Sequence, residues 1–191
     1  KAASLWEAAK RRVPADYPYL QAKQAKAYGL RLQVWGKRSG PKDSALLVPV
    51  RDTDGELHGL QYIRETGAKR FLTGTSKAGH FHHIAGEGPG ADVVAVGEGY
   101  ATLATVRELM GWTCYVAWDA GNLRSVAEVA RKRHSGAAMV VVADNDHTRK
   151  DNPGAVKGRD AARVVGAAVA LPEFGPDDTG TDWNDYRQSH G

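Results

Sequence analysis

The chain has 191 residues, 42% hydrophobic and 25% charged, enough to bury a core in one domain or two small lobes. No apolar run reaches the roughly 18 residues of a membrane span and no secretory signal pattern opens the chain, while the one cysteine makes a reducing cytoplasm the simplest setting. A single cysteine, Cys114, excludes an internal disulfide and a multi-cysteine zinc site, and the net charge of +4 is uneven: Lys1 to His80 carries 15 Lys+Arg against 7 Asp+Glu, Phe81 to Gly191 carries 11 against 15.

From Ala2 to Tyr28 apolar residues recur at helical spacing, broken at Val13-Pro14 and Tyr17-Pro18, which predicts two short helices. Residues 36–44 (GKRSGPKDS) read as a basic, turn-rich loop. Ala45 to Val50 reads as a strand, Asp52-Thr53-Asp54-Gly55 as a hairpin turn, Glu56 to Arg64 as the return strand and Gly67 to Leu72 as a third. Glu87 to Gly90 (EGPG) reads as the boundary between a basic lobe, 1–90, and a second domain, 91–191. Beyond it strands are expected at Asp92 to Val96, Thr113 to Ala117, Ala138 to Ala143 and Val169 to Leu171. Helices are expected at Tyr100 to Met110, with Ala101, Ala104 and Leu109 inward, at Leu123 to Arg133 and at Arg159 to Ala168, and a polar loop at Asp144 to Gly158. Unbroken apolar strands alternating with helices imply an α/β fold, a parallel sheet flanked by helices and preceded here by a smaller α+β lobe.

The acidic residues fall where strands end. Glu98 follows the strand at Asp92 to Val96 by one glycine, and Asp144 and Asp146 follow the strand at Ala138 to Ala143. Ligands of open parallel sheets collect outside the carboxyl ends of strands. Neighbouring strands would bring these three carboxylates together, where they repel until a divalent cation relieves them. Oxygen ligands favour Mg2+, with Mn2+ as an alternative, over zinc. A lone D-x-D also arises from helix caps and solvated loops; strand-Gly-Glu-Gly-helix followed by strand-Asp-x-Asp is more specific.

Val94 to Thr105 (VAVGEGYATLAT) with Val140 to Asp146 (VVVADND) resembles the Toprim domain of bacterial primases, topoisomerases and some nucleases. The likeness is greater to primases of conjugative plasmids and phages, which carry a similar E-G-Y-A-T, a similar A-G-N-L as at Ala120 to Leu123 and a similar T-D-[FW]-N-D as at Thr181 to Asp185. Leu47 to Leu72 is similar to the primase stretch ahead of Toprim. The resemblance implies a primase catalytic core that makes short RNA primers on single-stranded DNA from ribonucleoside triphosphates. A helicase or zinc-binding domain is then expected elsewhere in a parent chain, and a first residue Lys1 rather than Met agrees with a piece of a longer protein. Residue by residue, Glu98 matches the Toprim glutamate, a metal ligand or general acid/base, and Asp144 and Asp146 the metal pair; Asp182 and Asp185 fall near a later acidic cluster that helps hold cations. The aspartate that replicative primases carry four residues after the glutamate is Thr102 here.

Arg64, Lys69 and Arg70, with Lys77 and the Lys37-Arg38 loop, read as a ridge for template phosphates or a nucleotide, although edge strands also carry such residues to prevent aggregation. Lys157 in the polar loop could reach a triphosphate, and Asn122 is expected to cap a helix, to contact the site, or both. His80, His82 and His83 do not read as a metal site, since strand residues alternate faces. Tyr17, Tyr19, Trp35 and Tyr62 are expected to pack. Competing readings are a Toprim nuclease, a non-catalytic module binding single-stranded nucleic acid, and a haloacid-dehalogenase-type phosphatase suggested by Asp144-x-Asp146-x-Thr148.

Overall fold

A computed structural model of the chain describes residues 1–35, 43–175 and 178–190. Lys37, Arg38 and Lys42 of the expected basic loop lie outside the described residues, whereas Asp43 and Ser44 open a strand. The chain forms two compact units, Lys1–His82 and His83–Gly191. The second unit begins before the Glu87–Gly90 stretch because the strand β5 (His82–Ile84) already belongs to its sheet. Among the described residues no helix is long and apolar enough to cross a membrane.

In the first unit two short helices, α1 (Ala2–Ala8) and α2 (Pro18–Lys23), precede an antiparallel sheet of β1 (Arg31–Trp35), β2 (Asp43–Arg51), β3 (Leu57–Arg64) and β4 (Lys69–Phe71), in that spatial order. Both helices fall where the prolines divide the sequence, and Pro18 opens α2, where its missing N–H costs nothing. β1 is a strand that the sequence reading left out: among its five residues Leu32 alone is buried, so it shows little alternation. Pro49 lies inside β2, yet the last β1 partner of β2 is Leu47, so at Pro49 the sheet offers β3 alone as a neighbour, as at an edge strand. Trp6 and Ala9 pack on Leu47 and Leu60 to close one side of the sheet.

The second unit is a five-stranded sheet in the order β5-β7-β6-β8-β9, with β6 (Val93–Gly97), β7 (Thr113–Val116), β8 (Ala138–Val142) and β9 (Ala168–Ala170). β6 pairs in parallel with both β7 and β8, and β9 with β8. The chain leaves β6 through α3 (Tyr100–Met110) to β7 on one side, then returns through α4 (Leu123–Arg133) to β8 on the other. That reversal of strand order at β6 opens a crevice at the carboxyl ends of the three strands. Val94, Ala95, Val96, Tyr115, Cys114 and Val141 are wholly buried, and each large apolar side chain shut away here stabilises by about 1.5–3 kcal/mol.

The reading of this unit needs three corrections. Leu109 is 62% exposed, because α3 turns this side chain to solvent in its last turn before Gly111. The stretch expected as a loop, Asp144 to Gly158, ends in a helix that starts six residues before the one expected at Arg159: α5 spans Pro153–Val165, started by Asn152 as cap and Pro153 at its first position. Gly154 and Gly158 weaken the helical pattern in sequence but are required in space, since a Cβ on them would stand 2.5 Å from the Asp144 carbonyl oxygen and 2.4 Å from the Ala143 Cβ. A last helix, α6 (Trp183–His190), was not expected; its side chains are mostly polar, with Asn184 the buried one.

Candidate active site

Glu98 stands one residue past β6, and its backbone is pinned to the neighbouring strand. The Ala117 N–H donates to the Gly97 carbonyl at 2.7 Å and the Trp118 N–H to that of Glu98 at 3.0 Å. Trp118 itself has φ of 77°, a left-handed conformation costly for a residue with a side chain. Asp119 follows and caps the turn Ala120–Asn122, its Oδ1 accepting the Asn122 N–H at 3.2 Å.

Asp144 stands two residues past β8, and its Oδ1 is shut off from solvent. Asp146 sits at the start of α5: the Gly154 N–H donates to its Oδ2 at 3.2 Å, and its own N–H donates to Asn152 Oδ1 at 3.0 Å. Between the two acids, Asn145 works as a strut. Its N–H donates to the Thr181 carbonyl at 2.7 Å, its amide to Pro172 at 2.8 Å, and its Oδ1 accepts from Asn152 at 2.8 Å. This brings the segment ahead of α6 to the acidic loop. Asp182 caps α6 there, Oδ1 accepting the N–H groups of Asn184 and Asp185 at 2.7 and 2.9 Å.

These carboxylates act on one another. The Glu98 carboxyl is half-buried and pushed up to about 7, first by burial, then by the charges of Asp146 and Asp119; the Ala120 N–H that donates to it pulls the other way, and Asp182 adds a smaller upward push. Its Oε1 is buried with no hydrogen-bond partner among the described residues. An acid desolvated among three others, with an oxygen left unsatisfied, is the arrangement a divalent cation would relieve, and an all-oxygen donor set suits Mg2+ or Mn2+.

The other expected residues are placed as follows. Asp185 turns its Oδ2 back to the Thr181 N–H at 3.3 Å and so steadies the turn that carries Asp182. Asn122 does precede α4 but makes no side-chain cap; buried, it donates its amide to the Ala117 carbonyl at 3.1 Å and steadies the Asp119 turn. Lys157 is exposed on α5, not in a loop; the Asp160 carboxyl is held below its usual range first by its hydrogen bond with Arg163, Lys157 adding the smallest share. Thr102 is buried in α3 with its hydroxyl lacking a partner among the described residues.

Arg64, Lys69 and Arg70 belong to the first unit. Arg64 pairs with Asp43 and lies over the Trp35 ring, 5.2 Å from its centroid. Arg70 is exposed on β4, and with Arg64, Trp35, Tyr62 and Phe71 it lines a cavity of about 500 Å3. Lys69 lies over Tyr19, 5.9 Å from the ring centroid. Tyr17 and Tyr19 are buried as expected; Trp35 and Tyr62 are half-buried and face this cavity. Sequence reasoning missed Asp119, Asn145, Asn152 and Asn184. Asp119 carried the same signal as Glu98 and Asp144, an acid just beyond a parallel strand.

Residues 93–191 match the family model of the Toprim domain. Two proteins of Escherichia coli, both named DNA primase TraC, are 36% and 35% identical over 165 residues, 83% of this chain; the chain spans 15% and 11% of their lengths. Among solved structures, the primase fragment of the bacteriophage T7 primase-helicase protein superposes with a TM-score of 0.60 over 95% of this chain and 75% of that one, at 15% identity. T7 primase domains seen with the phage lagging-strand DNA polymerase, an RNA/DNA hybrid and dTTP give 0.53 over 94% and 82%, at 16% identity. At such identities these two likenesses are of fold.

Proposed function

The chain belongs to the Toprim domain family, and on that footing we propose that it is the catalytic core of a DNA primase, a nucleotidyltransferase that joins ribonucleotides into short RNA primers on single-stranded DNA. The observation that carries the reading is the half-buried Glu98 carboxyl with Asp146, Asp119 and Asp182 about it, raised to about 7 first by burial and then by their charges. In this reading Glu98, Asp144, Asp146 and Asp182 hold Mg2+, or Mn2+ in its place, with Asp185 steadying the set. A cation held there would supply positive charge to the phosphate oxygens of an incoming ribonucleoside triphosphate.

The side chains then have separate tasks. Glu98 has general base as its alternative role: standing off the cation, its carboxyl, raised to about 7, would receive the proton leaving the primer 3′-hydroxyl as that oxygen attacks the α-phosphate and pyrophosphate departs. Asp119 keeps negative charge beside Glu98, and Asn122 keeps Asp119 in place. Arg64, Lys69 and Arg70 bind template phosphates, and Lys157 reaches the triphosphate. The relatives are several times longer than this chain, so the working enzyme includes further domains, a helicase or a zinc-binding module among them, in the cytoplasm of a cell hosting a plasmid or phage.

The test is primer synthesis by the parent protein on single-stranded DNA with ribonucleotides and Mg2+ or Mn2+. Oligoribonucleotide products that vanish in Asp144→Asn support the proposal. No product from the parent, full activity in Asp144→Asn, or strand cleavage in place of synthesis overturns it.

A further inference from the structure

A second group of metal-ligating side chains lies in the first unit, apart from the carboxylates. Asp52 in the β2–β3 turn, His58 on β3 and His80 ahead of β5 each offer a ligand atom, all within 4.8 Å of one another. The backbone builds this meeting. Arg51 and Phe81 exchange both backbone hydrogen bonds, at 2.9 Å each, which sets their neighbours Asp52 and His80 side by side. The loop before His80 lies flat on β3: the Ser76 N–H donates to the His58 carbonyl at 3.2 Å, and the Leu60 N–H to Thr75 Oγ1 at 3.3 Å. A Cβ on Gly59 would stand 2.3 Å from Thr75, so only glycine admits that approach.

The second layer orients each ligand. Asp52 Oδ1 accepts the N–H groups of Asp54 and Glu56, both at 2.9 Å, which turns Oδ2 toward His58 Nε2 at 2.7 Å. His80 Nδ1 stands 2.9 Å from the Ser76 carbonyl. A carbonyl can only accept, so Nδ1 carries the hydrogen and Nε2 is the ring's electron-pair donor. A backbone carbonyl holding the far nitrogen of a histidine is the outer arrangement that metal-bound imidazoles show. The two rings stack with centroids 3.9 Å apart and planes at 11°. All three residues are half-buried, leaving room for water at a fourth position.

The geometry points to a second cation site, formed by Asp52, His58 and His80, for a zinc-like divalent ion. Two imidazoles and one carboxylate with an open position suit Zn2+, Co2+ or Ni2+ and are poor ligands for Mg2+. Such an ion would tie the β2–β3 turn to the loop that follows β4, bracing the strand that carries Lys69 and Arg70. The sequence reading dismissed His80 because it weighed the histidine against His82 and His83 along one strand, whereas its partners come from a neighbouring hairpin.

The test is titration of the metal-stripped chain with Zn2+ or Co2+ in excess Mg2+, followed calorimetrically and by imidazole nitrogen NMR. One equivalent is expected, with the His58 and His80 resonances shifting together. His80→Ala and His58→Ala should each weaken uptake by at least about tenfold, the scale on which even outer-layer changes act. Glu98→Gln should leave it unchanged. Unmoved His58 and His80 resonances in the unaltered protein at saturating Zn2+, or undiminished uptake in the double variant, overturns the site and shows a hydrogen-bonded turn only. Neither result bears on the carboxylates of the second unit.

Discussion

At the scale of single residues, Glu98 sets the terms. Its carboxyl is raised from 4.5 to about 7, so the folded chain holds that proton more tightly than the unfolded chain does. The associated stability is fully present below pH 4.5, declines as the pH rises toward 7, and is gone above it, an effect on the order of 3 kcal/mol without cation. Urea melts in EDTA should therefore show stability falling across that window. Glu98→Gln should remove this decline and make the chain more stable than the parent at pH 8 in EDTA, while losing the gain that Mg2+ or Mn2+ gives. A flat parental profile, or an unaltered cation response in the variant, would contradict the coupling. Glu98, Asp144 and Asp146 were legible in the sequence because acids just beyond apolar strands are visible by position alone. Asp119 carried the same signal, two residues past the strand expected at Thr113 to Ala117, and was overlooked. Asn145 and Asn184 were not legible, because their partners at Thr181, Pro172 and Thr105 are remote in sequence.

At the scale of elements, α6 is the least expected and the most telling. Its anchor is Asn184, wholly buried, donating to Thr105 Oγ1 of α3 at 2.9 Å and accepting from Gln188 at 2.7 Å. Asn184→Ala leaves the Thr105 hydroxyl without that donor and should cost about 1–3 kcal/mol. Hydrogen exchange should show faster exchange confined to α6 and the turn around Asp182, with β6 and β8 unchanged; protection unaltered in α6 would mean that packing on α3 holds the helix without this bond. The helix escaped sequence reading because its pattern lacks an apolar stripe, and its T-D-W-N-D start was legible as a motif rather than as a cap. α3 and α4 were legible to their ends, since each lies between buried strands and stops at a clear signal, Gly111 for the first and a run of basic residues for the second.

At the scale of the whole molecule, the charge division noted in the sequence follows the division of the fold. The excess of lysine and arginine lies in the part of the chain that forms the antiparallel sheet, the excess of acid in the part that forms the parallel one. In the proposed function the first binds template and the second binds cation. Replacing Lys69 and Arg70 together by Ala should then weaken binding of single-stranded DNA and lower the slope of log affinity against log salt by about 1–2, about 0.7 for each phosphate left without its cationic side chain. An unchanged slope would move template binding away from β4. Sequence alone separated the two halves by charge and by strand pattern. The dividing point at His82 escaped it because β5 has only three residues, too few to show a period.

The strut at Asn145 carries a mechanical corollary. Two acids flank a residue that is hydrogen-bonded to Thr181, so the loop bearing them and the stretch leading into the final helix are linked. Whatever pulls Asp144 and Asp146 inward tugs on Thr181 at the same moment, and with it on Asp182, the next residue along. A movement of the acidic loop is thereby passed to the turn that carries Asp182 through the Asn145 N–H.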